Sequence, residues 1–187
     1  VYWPSEFRTS HRSTISVLYL RALALRYRST HVPAQTSISE SPKPPAWMHT
    51  ARSVVQEYRA ILSKSTKFPR AGERNYKVED FVDLCVAVWE ASGGIGDYTG
   101  WVLDVLWWAT RLTFNSYRIL RHMTRLLYVS GDTSLARRTL RLYVQVVGKA
   151  FQASGAGASA DADTDEKWAE TLLLTEKSWM IYEKLDC

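Results

Sequence analysis

The sequence predicts an all-α fold of about seven helices, and three observations carry that prediction. Apolar residues recur at three- and four-residue spacings along most of the 187 residues. No segment shows the strict alternation of a half-buried strand, and stretches rich in Pro, Gly, Ser and Asp separate the periodic segments. The 46% apolar content, with eight tryptophans, excludes a disordered chain, because it supplies enough surface to offset chain entropy. The length suits one domain with its own core, or about three to four stacked helix pairs at roughly 34–40 residues each.

The first helix is expected over about Ser13 to Arg28, with Ile15, Leu18, Tyr19, Ala22 and Leu23 on its inner face. Residues 29–47 hold four prolines among serines and threonines, have no period and read as a loop. A second helix runs from about Thr50 to Ser65, with Val54, Tyr58, Ile61 and Leu62 inward. Phe68-Pro69-Arg70-Ala71-Gly72 breaks it. The third, from about Val78 to Ala91, carries Val78, Phe81, Val82, Cys85 and Trp89 on one face and Leu84, Val86 and Val88 on the other, so it is buried between neighbours. Gly93, Gly94, Gly96 and Gly100 precede a fourth, Trp101 to about Phe114, that is again apolar on most sides.

The fifth and sixth helices, about Ser116 to Tyr128 and Thr133 to Gln152, are joined by Gly131-Asp132, with Ala136 five residues after the glycine. This is the turn chemistry of a tetratricopeptide-type hairpin. Gly131, Asp132 and Ala136 are therefore structural residues. Gly96-Asp97 stands 35 residues upstream, close to one repeat period, with Trp101 where the later hairpin has Ala136. Two successive hairpins follow, and with them a right-handed solenoid of stacked antiparallel pairs. Thr124 replaces the small residue that a generic repeat prefers, and Thr133 an aromatic one. Residues 153–164 form an Ala/Gly/Asp-rich loop whose acidic end opens a seventh helix, with Trp168, Leu172, Trp179 and Tyr182 on one stripe to about Lys184. The whole chain, 1–187, reads as a single helical-repeat segment. Starting at Val1 and stopping at Cys187 within a helical pattern, it is expected to be a piece of a longer protein.

Charge is distributed unevenly: net +8 over residues 1–75, +2 over 76–150 and −5 over 151–187. The basic front suits an acidic protein, phospholipid or nucleic-acid surface, and packing between oppositely charged neighbouring repeats is equally compatible. Two cysteines give neither a disulfide framework nor a zinc spacing, and the simpler expectation is a reducing, intracellular setting. The densest apolar run, Trp101 to Ala109, is interrupted by Asp104 and is too short to span a bilayer.

Arg118, Arg121 and Arg125 fall at i, i+3 and i+7 on the fifth helix, and Arg137, Arg138 and Arg141 crowd the sixth. Six guanidinium groups on one hairpin are candidates for gripping an acidic peptide or lipid headgroups, although such rows are more often a solvated face. The aromatics sit on core stripes and are not interleaved with these arginines, which argues against nucleic acid. Gly94 to Gly100 lacks a phosphate-loop ending, no cofactor motif is present, and the scattered histidines His11, His31, His49 and His122 offer no metal site. Asp104, inside an apolar helix, calls for a partner, which Arg111 could supply seven residues on as a structural pair. Glu79, Asp80 and Asp83 read as charges complementing the start of the third helix.

Three runs carry a family resemblance: Trp101-Val-Leu-Asp-Val-Leu-Trp-Trp-Ala-Thr-Arg-Leu-Thr-Phe-Asn115, Arg118-Ile-Leu-Arg-His-Met-Thr-Arg-Leu-Leu-Tyr128 and Thr139-Leu-Arg-Leu-Tyr-Val-Gln-Val-Val147. They resemble the fungal filamentation or cargo-transport tetratricopeptide proteins, a family related to the scaffold subunit of the plasma-membrane phosphatidylinositol 4-kinase complex. The likeness extends to Thr14–Leu23 and Ala51–Ala60. It implies a non-catalytic adaptor, peripheral at the plasma membrane, whose partners are subunits of a lipid-kinase assembly, with links to endocytic cargo transport and filamentous growth. The alternative is a compact helical enzyme or ligand-binding domain with a pocket walled by the tryptophans of the third and fourth helices.

Overall fold

The computed structural model describes residues 8–28, 44–70, 73–94, 98–154 and 163–173. Among them all regular structure is helical: α1 (Thr9–Arg28), α2 (Trp47–Ser65), α3 (Tyr76–Ala91), α4 (Gly100–Thr110), α5 (Tyr117–Val129), α6 (Thr133–Ser154) and a further stretch over 165–173. The all-α class is therefore as the sequence predicts. No described helix is long and apolar enough to cross a membrane. Most of the Pro/Ser-rich loop, residues 29–43, lies outside the described residues, as do 155–162 of the second loop and the expected continuation of the seventh helix beyond 173.

Where the sequence reads as one segment, contacts divide it into two compact units, Val1–Phe114 and Asn115–Cys187. The boundary has a local cause. α4 stops at Thr110, four residues before the position expected, because Arg111 and Leu112 close tight turns onto the carbonyls of Trp108 and Ala109. Asn115 then takes a left-handed φ of 47°, a conformation that asparagine tolerates better than most side chains.

In the first unit α3 is the central element. Val78, Phe81, Val82, Cys85, Val86, Val88 and Trp89 are all buried, as its all-round apolar sequence requires, with α1 and α4 both packed against it. α2 buries Met48, Ala51, Val55, Tyr58 and Leu62, a stripe shifted by one residue from the expected Val54 and Ile61. Aromatic edges tie the core: Tyr58 meets Phe81 edge-on at 5.0 Å, and Phe81 meets Trp108 at 5.9 Å. The Trp108 indole N–H donates to Ser63 Oγ at 3.0 Å, which satisfies its polar edge.

α1 departs most from expectation. It packs on α2 and α3 through Ser16, Leu20 and Leu23, while Ile15, Leu18, Tyr19 and Ala22 face outward. Apolar residues occur on nearly every side of this helix, so spacing alone could not select the face that α2 and α3 cover.

Candidate functional site

The second unit holds the basic hairpin. α5 begins after Ser116, whose carbonyl accepts the Leu120 N–H. It buries Ile119, Met123, Leu126 and Leu127, and α6, packed beside it, buries Ala136, Tyr143 and Val147. At the turn the Gly131 N–H donates to Tyr128 and the Asp132 N–H to Leu127, both at 3.0 Å. Gly131 has a φ of +87°, and a Cβ there would meet nothing within 4 Å; glycine is required by the backbone and not by space. Asp132 Oδ1 accepts the Leu135 N–H at 3.0 Å and so caps α6. Thr124, the residue out of keeping with a generic repeat, is wholly buried and donates its hydroxyl to the Leu120 carbonyl at 2.9 Å. Its polar atom is thus satisfied within its own helix.

The arginines do not form one surface. Arg121 Nη1 donates to Asp163 Oδ1 at 2.5 Å and to Oδ2 at 2.6 Å, with the two side chains only 12% and 3% exposed. The Tyr143 hydroxyl, from α6, donates to Asp163 Oδ2 at 2.6 Å, and the Thr164 N–H reaches Oδ1 at 3.1 Å. These three donor groups make four contacts, about as many as the lone-pair positions a carboxylate offers. Trp168 lies 5.4 Å from the Tyr143 ring, and the Thr171 hydroxyl donates to the Lys167 carbonyl at 2.7 Å. The cluster pins the 163–173 segment onto the hairpin.

Arg121 is thereby withdrawn from the proposed partner-binding row, since its acidic partner belongs to the same chain. Arg118 and Arg125 are half-buried on the same helix and have contacts of their own. Arg137, Arg138 and Arg141 are exposed, on the side of α6 away from the seam formed by Ala136, Tyr143 and Val147. Asp163 and Tyr143 were missed as a pair because 20 residues separate them. The available signal was the acid just before Thr164, whose hydroxyl and carbonyl accept the N–H groups of Lys167 and Trp168. Asp163 therefore stands outside the first helical turn and is not a dipole-complementing charge.

Chemically, this cluster is a clamp. Burial, followed by the hydrogen bond to Asp163, pushes the Tyr143 phenol above its ordinary pKa, so it serves as a hydrogen-bond donor and not as a base or nucleophile. Cys85 is fully buried and its thiol is likewise pushed up by burial, the opposite of an activated cysteine.

Several other expectations require correction. Asp104 and Arg111 are both exposed, and no ion pair joins them among the described residues. Asp104 and Trp107 share the solvent side of α4, and Arg111, just past its end, is exposed too, so the desolvation cost that would demand a partner does not arise. Glu79 is 1% exposed and paired with Arg74 at 2.6 Å; it is a buried ion pair and more than a surface charge. Gly96-Asp97, and with it the 35-residue spacing, lies outside the described residues. Gly93 and Gly94 have positive φ and close the end of α3 through bonds to Glu90 and Trp89, resembling the turn at Gly131. Trp89, Trp101 and Trp108 fill the core. A pocket of about 340 Å³ between α1 and α2 is lined by Thr9, Arg12, Glu57, Ala60, Ile61, Lys64 and Ser65, with no tryptophan. Among the described residues no three His, Cys, Asp or Glu side chains are grouped to hold a metal.

No protein-family model matches the chain, and neither a curated protein nor a solved structure does.

Proposed function

We propose that this chain is part of a non-catalytic, tetratricopeptide-like scaffold that helps assemble and hold a phosphatidylinositol 4-kinase complex at the plasma membrane, with links to endocytic cargo transport and filamentation. The observation that supports a scaffold is the α5–α6 hairpin, where Gly131, Asp132 and Ala136 each have a structural task and the buried Asp163 cluster locks a further helical segment onto it. Stacking of such hairpins into a right-handed solenoid is part of the proposal. The kinase assignment comes from the sequence resemblance of the α4, α5 and α6 segments. Within the hairpin, Arg137, Arg138 and Arg141 are the better docking residues, because their side chains are exposed whereas Arg121 is buried against Asp163. A tryptophan-walled ligand pocket has less support, since the tryptophans of α3 and α4 that would build it are mostly core.

The test is affinity capture of the protein from cells, probed for the lipid kinase, with and without Arg137→Glu, Arg138→Glu and Arg141→Glu together. The kinase should accompany the unaltered protein and be depleted with the variant. Its absence from the unaltered capture would overturn the kinase reading. Equal recovery with both forms would remove the α6 row from the binding surface.

A further inference from the structure

The outer face of α1 carries an apolar stripe. Ile15, Leu18 and Leu25 are 65%, 58% and 69% exposed, and Ala22 lies between them, at i, i+3, i+7 and i+10. Tyr19, 37% exposed, stands beside it. The opposite face is already engaged with α2 and α3 through Ser16, Leu20 and Leu23, so the outer stripe is surplus to the packing of this helix. At about 1.5 Å per residue the stripe runs roughly 15 Å. Helical period places Arg21 and Arg28 along one margin and Arg26 along the other. Residues 8–28 hold five arginines and no aspartate or glutamate.

We propose that α1 is an interfacial helix that lies in the plane of an anionic lipid surface, with Ile15, Leu18, Ala22 and Leu25 entering the headgroup–acyl boundary and Arg21, Arg26 and Arg28 meeting phosphate and carboxylate groups. Although α1 as a whole is apolar on both sides, its inner side is taken up by α2 and α3, and arginine stems beside the outer strip can extend along apolar surface while their heads reach charged groups. The bilayer is favoured over a partner helix for two reasons. The stripe is the ridge of a single helix, and the depression nearby, between α1 and α2, includes none of its residues; a docking helix would seek a groove. Within α1 itself no acidic residue opposes an anionic surface. The proposal goes beyond the scaffold reading and uses a surface and a probe that do not involve the kinase.

The test is co-sedimentation of the purified 187-residue chain with vesicles of mixed phosphatidylcholine and phosphatidylserine, against vesicles of phosphatidylcholine alone. Binding to the mixed vesicles is expected, weakening as salt rises. Leu18→Glu with Leu25→Glu should reduce it about tenfold or more, because both lost apolar insertion and added negative charge oppose binding. Arg21→Gln, Arg26→Gln and Arg28→Gln together should abolish the preference for phosphatidylserine and keep the helical signal, so the proposal does not rest on one variant. No sedimentation with either vesicle would overturn it, as would sedimentation that the leucine variant leaves unchanged. A dimer in solution that the leucine variant dissolves would equally overturn it and make the stripe a contact between copies. Vesicle binding without kinase capture would defeat only the kinase reading, and the reverse result only this one.

Discussion

Arg12–Glu57 in the first unit and Arg121–Asp163 in the second join the same functional groups at nearly the same distance, 2.6 and 2.5 Å. Their surroundings differ. The first pair is 36% and 44% exposed, and water competes for every bond it makes. The second is 12% and 3% exposed, with Tyr143 and Thr164 completing the carboxylate's shell. Distance therefore says little about what an ion pair contributes; desolvation decides it. An exposed pair is worth about 0–1 kcal/mol, whereas removing one member of a buried pair costs about 3–5 kcal/mol because a charge is left without its counterpart.

The largest expected effect comes from breaking the buried side of this comparison. Asp163→Ala should destabilise the second unit by about 3–5 kcal/mol, since it strands Arg121 and the Tyr143 hydroxyl together. Hydrogen exchange on α5 and α6 amides reads this unit directly, where a single melting curve of a two-unit chain would not. Exchange in α5 and α6 that stays as slow as in the unaltered protein would mean that the hairpin is held by its apolar seam alone.

Tyr143→Phe keeps the ion pair and removes one donor to a charged acceptor, with an expected cost of about 1.5–3 kcal/mol. It also changes the pH dependence. The folded phenol holds its proton more tightly than the unfolded one, so its contribution is fully present below the unfolded value of about 10 and is lost as pH rises above it. Tyr58, raised chiefly by burial, acts in the same direction in the first unit. Urea unfolding followed in the second unit should therefore show an alkaline decline above about pH 10 that Tyr143→Phe reduces. An identical decline in the variant would assign the loss to other groups.

Much of the hairpin was legible in the sequence, and the reason is local. α5 has Arg118, Arg121, His122 and Arg125 on one side and Ile119, Met123, Leu126 and Leu127 on the other, so only one rotation buries its apolar face. Gly131 and Asp132 mark the turn by requirements of their own backbone and side chain. α3 was legible for the opposite reason, since a helix apolar all round must be enclosed. α1 presents two competing stripes, and the weaker one in sequence, with Ser16 in its midst, is the one that α2 and α3 cover. Asp163 and Arg121 lie 42 residues apart, and nothing local to either announces the other. The family resemblance concerned the chain as a string and placed no contact.

On the exposed side of the comparison, Arg12→Ala should cost no more than about 1 kcal/mol, and less as salt is raised. Denaturant unfolding of the full chain at low and high ionic strength checks both parts. A loss approaching that of Asp163→Ala would mean that the pair, at the edge of the depression between α1 and α2, fixes the angle between those helices and does more than decorate them.

The smallest effect belongs to Asp104→Ala. A carboxylate between Leu103 and Val105 looks buried in sequence, and a buried carboxylate without a partner would cost several kcal/mol. On α4, however, the inward residues are Trp101, Val102, Val105, Leu106, Trp108 and Ala109, and Asp104 projects with Trp107 and Arg111 into solvent. Its removal takes away no buried bond, and alanine favours the helix slightly more than aspartate does. The expected change is within about 0.5 kcal/mol in either direction. If the substitution instead lowers stability by more than about 1 kcal/mol, this face of α4 is covered in solution and the surface on which Asp104 sits is an interface.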